Sequence, residues 1–369
     1  MTGAAFSRTG GSHDIAQAQD LMSDTYFPGN ARTGALPSSL GIPIAEGPLK
    51  VPESSTSGYI PEDARGIFEQ FYDHTLAEIV GVPPRLLFHY TSPKGLVGIL
   101  SSGEIFATNA FFTNDVAEIR LSLSMFRNAA QERVSELPPG PVKLAFQMTA
   151  QRITTALAGT SGIFVACFST EGDDNAQWSA YGGTAGGYNL GLDWHDLSRV
   201  ATERELRLVP CVYDIESQKR YVERAIAEFE TLVHTSVGAE TAAQQQGSAI
   251  RECVALFFEK VSAFAPLLKD PGFKHEHEWR LVKFTNDASL MEFEPRENVI
   301  RPRVRLDMKH SSAGRTIPCL RQVTVGPTPH LDIAPDAVKA LLLSLGYPLD
   351  EEGGPSLPVF PSRSTLRIV

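Results

Sequence analysis

The chain is poor in cysteine, with four in 369 residues: Cys167, Cys211, Cys253 and Cys319, no two of them close together. That spacing excludes zinc knuckles and paired redox motifs and fits a reducing compartment. Positive charge is also short: 33 Lys and Arg against 43 Asp and Glu leave a formal charge of −10. A surface of that sign repels a phosphate backbone unless a local basic patch compensates. The one candidate patch is "IRPRVRLDMKH" at 300–310, where Arg301, Arg303 and Arg305 alternate with Pro302, Val304 and Leu306. Alternation of that kind reads as a strand with one wet face. Long apolar runs are missing too. No stretch reaches the roughly 18 residues of a membrane span. The first residues also lack the basic start and apolar stretch of a secretory signal.

Familiar catalytic signatures are missing as well. There is no G-x-S-x-G elbow, and "HEHEW" at 275–279 lacks the spacing that puts two imidazoles on one helical face. The fragment "GGTAGG" at 182–187 has neither the Lys-Ser/Thr ending of a phosphate loop nor dinucleotide glycine spacing. His275 and His277 stand two apart, yet no metal is assigned to them. No internal repeat is found.

What is present is an ordinary globular composition, 42% apolar and 21% charged, able to bury a sizeable core. Residues 1–60 are rich in Gly, Ser, Thr, Ala and Pro without periodicity and read as a disordered leader, either a plain floppy terminus or a translocation signal. One α+β domain is predicted over 61–348, followed by a C-terminal tail at 349–369. A helix begins near Pro61, with Phe68, Tyr72, Leu76 and Val80 on one face and Pro83-Pro84 ending it. "RLLFHYT" is a strand. "SPKGLVGILSSG" is a short helix capped by Ser92 and stopped by Gly103. Further helices are predicted from about 116, over 141–158, 215–236 and 240–268, and over 334–345. Strands are predicted over 162–169, at "YNLGLDW" and "LRLVPCVYD", over 276–284, 291–295, 298–306 and 320–326. Irregular interleaving of strands with helix pairs argues for α+β rather than a regularly wound parallel sheet.

Four stretches place polar or aromatic groups at the ends of apolar strands, where a cleft would find them. In "HYT" at 89–91, His89 taken alone reads as a buried, hydrogen-bonded histidine. In "FTNDVAE" at 112–118, Asn114 and Asp115 stand where a helix begins and read as caps. In "CFSTEGDDNAQWSAYGG" at 167–183, Trp178 and Tyr181 are three apart, on one face of any helix. In "EHEWR" at 276–280, Glu276, Glu278 and Arg280 share one strand face, which Val282 and Phe284 continue as apolar residues. Charges abutting a core on one face point to a cleft.

"FHYTSPKGLVGIL", "FFTNDVAEI", "CFSTEGDDNAQWSAYG", "HEWRLV" and "LRQVTVGP", in that order over about 87–327, resemble the bacterial family called domain of unknown function 2971. A His on the first strand, a central aromatic and a Glu on a late strand are also similar to the His-Tyr-Glu arrangement of the ADP-ribosyltransferase superfamily. That likeness implies a split, curved β-sheet with flanking helices, gripping NAD as substrate. It implies His89, Tyr181 and Glu278 as the catalytic set. His89, Tyr90, Thr91, Asn114, Trp178, Tyr181 and Arg280 would bind NAD, with Lys94 a further pyrophosphate candidate and Glu276 resembling the extra Glu of arginine-modifying members. Glu278 would stabilise the positive charge that builds on the ribose as nicotinamide leaves. The implied acceptor is a protein or nucleic acid, and the implied setting a soluble cytoplasmic enzyme or one exported by a non-Sec route. Two alternatives stay open: a non-catalytic nucleotide- or partner-binding module in bacterial defence or effector function, and a metal-dependent hydrolase using Asp115 and Glu118.

Overall fold

The computed structural model describes residues 58–113, 116–158, 162–181, 187–238, 243–296, 298–309, 317–348, 357–364 and 366. The leader predicted over 1–60 therefore lies outside the described residues up to 57, as do Asn114, Asp115 and the side chain of Glu118.

Helix α1 (Glu62–Val80) enters on Pro61 and buries Phe68 and Tyr72, the face its four-residue spacing predicts. Strand β1 (Leu86–Thr91) leads into α2 (Pro93–Ser102), where the Ser92 side chain accepts from the Gly95 N–H at 3.2 Å. Gly103 ends α2 at φ 69°, a left-handed conformation that costs glycine little. Then come β2 (Glu104–Asn109), α3 (Val116–Glu136), α4 (Pro141–Ala158), β3 (Ile163–Ser169), α5 (Asn175–Tyr181) and β4 (Tyr188–Asp193). Helix α6 (Trp194–Glu203) starts directly on β4, because Asp193 ends the strand and also accepts from the Asp196 N–H as a cap. No helix is predicted between "YNLGLDW" and "LRLVPCVYD", so α6 is an addition to the predicted elements. Next follow β5 (Arg207–Pro210), α7 (Ile215–Ser236), α8 (Ala243–Phe264), β6 (Glu278–Phe284), β7 (Met291–Pro295), β8 (Ile300–Asp307) and β9 (Leu320–Val325). The chain closes with α9 (Ala334–Ser344) and β10 (Val359–Pro361). Within the stretch predicted as a tail, β10 adds a parallel edge strand to β9.

The strands form one open sheet of ten, in the order β10-β9-β4-β1-β3-β2-β8-β7, with β6 on β3 and β5 on β6. This corrects the split, curved sheet that the ADP-ribosyltransferase likeness implies. Its outermost strands in that order, β10 and β7, do not pair with each other, so the sheet is neither closed nor curled. The α+β class itself stands.

The way β3 is shared positions everything that follows. Strand β6 lies along one edge of β3 for its whole length, from Ile163 opposite Phe284 to Ser169 opposite Glu278. A strand has only two edges, so β1 and β2 must divide the other. Phe88 of β1 meets Ser169 at one end, and Thr108 and Asn109 of β2 meet Val165 and Phe164 at the other. Cys167, between them, has no strand partner on that edge.

Helices cover both faces. On one, Ile163, Val165 and Val282 pack with α1, α3, α4, α7 and α8 in a core that includes the stacked pair Phe229 and Phe257, centroids 4.4 Å apart. On the other, Leu87, Phe168 and Leu281 pack with α2, α6 and α9. Each fully buried Phe or Leu contributes about 1.5–3 kcal/mol relative to exposure.

Candidate functional site

The gap between β1 and β2 is a cleft of about 760 Å³ including its mouth. Cys167 and its β3 neighbours form the floor, Phe106 and Thr108 of β2 one wall, and Tyr90 with α5 the other; Glu276, Glu278 and Arg301 also line it.

His89 fills the gap where β1 leaves β3. Its Nδ1 lies 2.9 Å from the Cys167 carbonyl oxygen, the peptide group that no strand pairs on this edge. A carbonyl only accepts, so Nδ1 carries the proton and donates. Burial lowers the imidazole pKa against the opposing pull of that carbonyl, which keeps the ring neutral and Nε2 an acceptor. The ring rests 5.4 Å from that of Phe168. The structural role predicted for His89 and a cleft-facing role therefore coincide in one side chain.

Below the cleft lies a buried charge cluster. Arg280 grips Glu278 with two nitrogens, Nε to Oε1 at 2.8 Å and a terminal nitrogen to Oε2 at 2.9 Å. Lys269 bonds the carboxylates of both Glu276 and Glu278. Glu278, Arg280 and Lys269 are 5–6% exposed. Burial pushes the Glu278 carboxyl up, but the Arg280 guanidinium and the Lys269 ammonium override it and hold the pKa at about 2. Burial raises the Cys167 thiol, and the neighbouring Glu278 carboxylate raises it further, so it stays protonated. The Glu278 N–H donates to the Tyr213 hydroxyl at 2.9 Å.

The strand predicted over 276–284 begins at Glu278, because Pro271–Glu276 forms a 3-10 turn and His277 follows at φ 47°. Glu276 therefore reaches Lys269 from a turn rather than from the strand face that it was predicted to share. Lys269 belongs to no motif or periodic pattern in the sequence.

Helix α5 carries Gln177 and Tyr181 to the cleft. Trp178, on the same helix, is 2% exposed and packs edge-on against Tyr90 with centroids 4.6 Å apart, beneath the wall rather than in it. The Tyr90 hydroxyl donates to the Glu171 carbonyl at 2.7 Å, and burial pushes its pKa up to about 12. Burial likewise raises Tyr181 above its ordinary value, with Cys167 and Glu278 adding to the rise. Thr91 ends β1 opposite Tyr188 and does not line the cleft; neither does Arg280, which is spent on Glu278. Lys94 is exposed on α2, which packs on the other face of the sheet. Asn114 lies outside the described residues.

The C-terminal segment straps α5 down. Asp173 accepts from Trp178 Nε1 at 2.8 Å, from the Ser362 hydroxyl and from the Arg363 N–H at 2.7 Å. Replacing Asp173 with alanine leaves a buried indole N–H without its partner and should cost about 1–3 kcal/mol. Chemical denaturation would read that loss, and limited proteolysis of residues 357–366 would show the strap released.

Arg301 was read as part of a wet strand face. Its neighbours satisfy that reading: Arg303 and Arg305 pair with Glu292 across the hairpin, and Arg303 also lies 3.6 Å from the centroid of the Phe106 ring. Arg301 instead lines the cleft. Among the described residues its buried Nε has no hydrogen-bond partner, and no ion pair to it is found there. Among these residues, no group of three or more His, Cys, Asp and Glu side chains is placed to hold a metal. No helix among them is long and apolar enough to cross a membrane.

Fold and cleft together define an α+β protein with an opening cut into its central sheet. One family model, Protein of unknown function (DUF2971), matches residues 177–281, a narrower span than the 87–327 over which the motifs resemble that family. The match takes in Gln177, Tyr181, Lys269, Glu276, Glu278 and Arg280, whereas His89, Cys167 and Arg301 fall outside it. No curated protein and no solved structure matches the chain.

Proposed function

We propose that this chain is a binding module whose cleft holds a nucleotide-type ligand without turning it over. The observation that carries the reading is the state of Glu278. Both of its oxygens are engaged by buried cations, and the cluster of Glu276, Glu278, Lys269 and Arg280 is formally neutral. A carboxylate neutralised in this way has little charge left to set against a developing oxocarbenium ion. What faces the cleft instead suits recognition: aromatic surface from Phe106 and Tyr181, the acceptor Nε2 of His89 and the guanidinium of Arg301.

The second reading is NAD cleavage with transfer of ADP-ribose to a macromolecular acceptor. It is favoured by one observation, the meeting of His89, Tyr181 and Glu278 at a single cleft.

Calorimetry with a panel of nucleotides and NAD, followed by chromatography of the recovered ligand, separates the two. Saturable binding with the ligand recovered intact is the expected result. Nicotinamide release that disappears in Glu278→Gln would replace the binding reading with the transferase reading, and label carried from NAD onto lysate protein or nucleic acid would identify the acceptor class.

A further inference from the structure

We infer that the ligand is a nucleoside monophosphate whose single phosphate sits on Arg301; the inference rests on the nucleotide-binding reading above. The argument is a charge count over the cleft and the groups behind it. Glu276 and Glu278 line the cleft, but Lys269 and Arg280 offset them from below. Arg301 is then the formal charge left over among the described lining residues, and no described carboxylate pairs with it. In a protein whose sequence sums to −10, such a guanidinium at the wall of a cleft is a local exception.

One guanidinium offers a planar fork that two oxygens of one phosphate can occupy. A phosphate monoester carries about −1.5 to −2 charge near neutral pH, of which one guanidinium offsets one unit and leaves the smallest residual charge of any phosphate chain. A diphosphate or triphosphate brings further charge, and the described lining residues supply no second cation to receive it. Of the two carboxylates in the lining, Glu276 is the more exposed, its side chain 19% accessible, and it offers further phosphates no attraction. Arg303 is already committed to Glu292, Glu294 and the Phe106 ring.

The rest of the cleft suits the nucleoside end. Phe106 and Tyr181 bring aromatic surface to it from opposite sides of the gap. The His89 tautomer fixed by the Cys167 carbonyl leaves Nε2 as an acceptor for an amino group on the base. No hydrogen bond of the Tyr181 hydroxyl is found among the described residues, so it can serve the sugar.

The test titrates the full chain by calorimetry with adenosine, then with its mono-, di- and triphosphates and with NAD. The monophosphate is expected to bind about 10- to 150-fold tighter than the nucleoside, the span of a charge-assisted hydrogen bond, and the longer phosphates no tighter than the monophosphate. Arg301→Gln should bring the monophosphate down to the nucleoside's affinity, and Arg301→Lys should recover part of the loss; circular dichroism checks that both variants fold. The comparison within the unmodified protein needs no variant. Equal binding of nucleoside and monophosphate, or tenfold tighter binding of the triphosphate, overturns this inference and leaves nucleotide binding standing. Failure of every member of the panel to bind overturns both.

Discussion

Replacing Arg280 with methionine should lower the stability of the chain by about 3–5 kcal/mol, because Glu278 would stay buried with only the shared Lys269 to face it. A loss of that size is a large fraction of the 5–15 kcal/mol typical of a folded domain. The cause is the asymmetry of buried ion pairs: forming one returns little beyond its desolvation cost, whereas breaking one strands a charge. A double variant, Glu278→Leu with Arg280→Met, removes both charges and leaves Lys269 paired with Glu276. It should be more stable than Arg280→Met alone. Urea unfolding followed by tryptophan fluorescence measures both, with Trp279 between the substituted positions as reporter. A double variant no more stable than the single one would show that side-chain packing, not the stranded carboxylate, sets the cost.

Acid should destabilise the protein in two windows that open at different pH. His89 has a folded pKa below its ordinary 6.5, so the unfolded chain binds its proton first. Its contribution is whole above 6.5 and is lost as pH falls toward the depressed folded value. Glu278 shifts in the same direction, from 4.5 to about 2, so its contribution is whole above 4.5 and disappears as pH falls through that range. A shift of that width corresponds to about 3 kcal/mol. Unfolding free energies measured at stepped pH should show both declines. His89→Phe should flatten the upper one and Glu278→Gln the lower.

Local geometry was legible in the sequence wherever one short segment holds the whole signal. The Phe68 and Tyr72 spacing marks α1, Ser92 and Gly103 bracket α2, and alternation about Arg280 marks β6. The cleft was partly legible for the same reason, since His89 and Glu278 are polar groups at the tips of apolar strands. What escaped depends on partners far away in the chain. The strand order is set by pairings such as Ala107 with Val304, which no local pattern reports, and so the curved sheet expected by likeness gave way to an open one. Three arginines alternate identically in β8, yet only register decides that Arg303 and Arg305 meet Glu292 while Arg301 reaches the cleft. Lys269 acts across a turn on two carboxylates, leaving no periodic trace. Trp178 and Tyr181 do share a short helix, which the sequence left open, but the packing of α5 against Tyr90 puts the indole into the protein and leaves the phenol at the cleft.

The divided edge of β3 also makes the sheet mechanically two wings on a common spine. The wing that begins with β1 is fastened to the spine through Phe88 and Ser169, and the wing that begins with β2 through Thr108 with Val165 and Asn109 with Phe164. Across the opening the described strands of the two wings share no rung of their own, and His89, bonded to Cys167, ties the first wing to the spine. The lining draws on both wings and the spine together, so the opening is a seam of the sheet and not a dent in one strand.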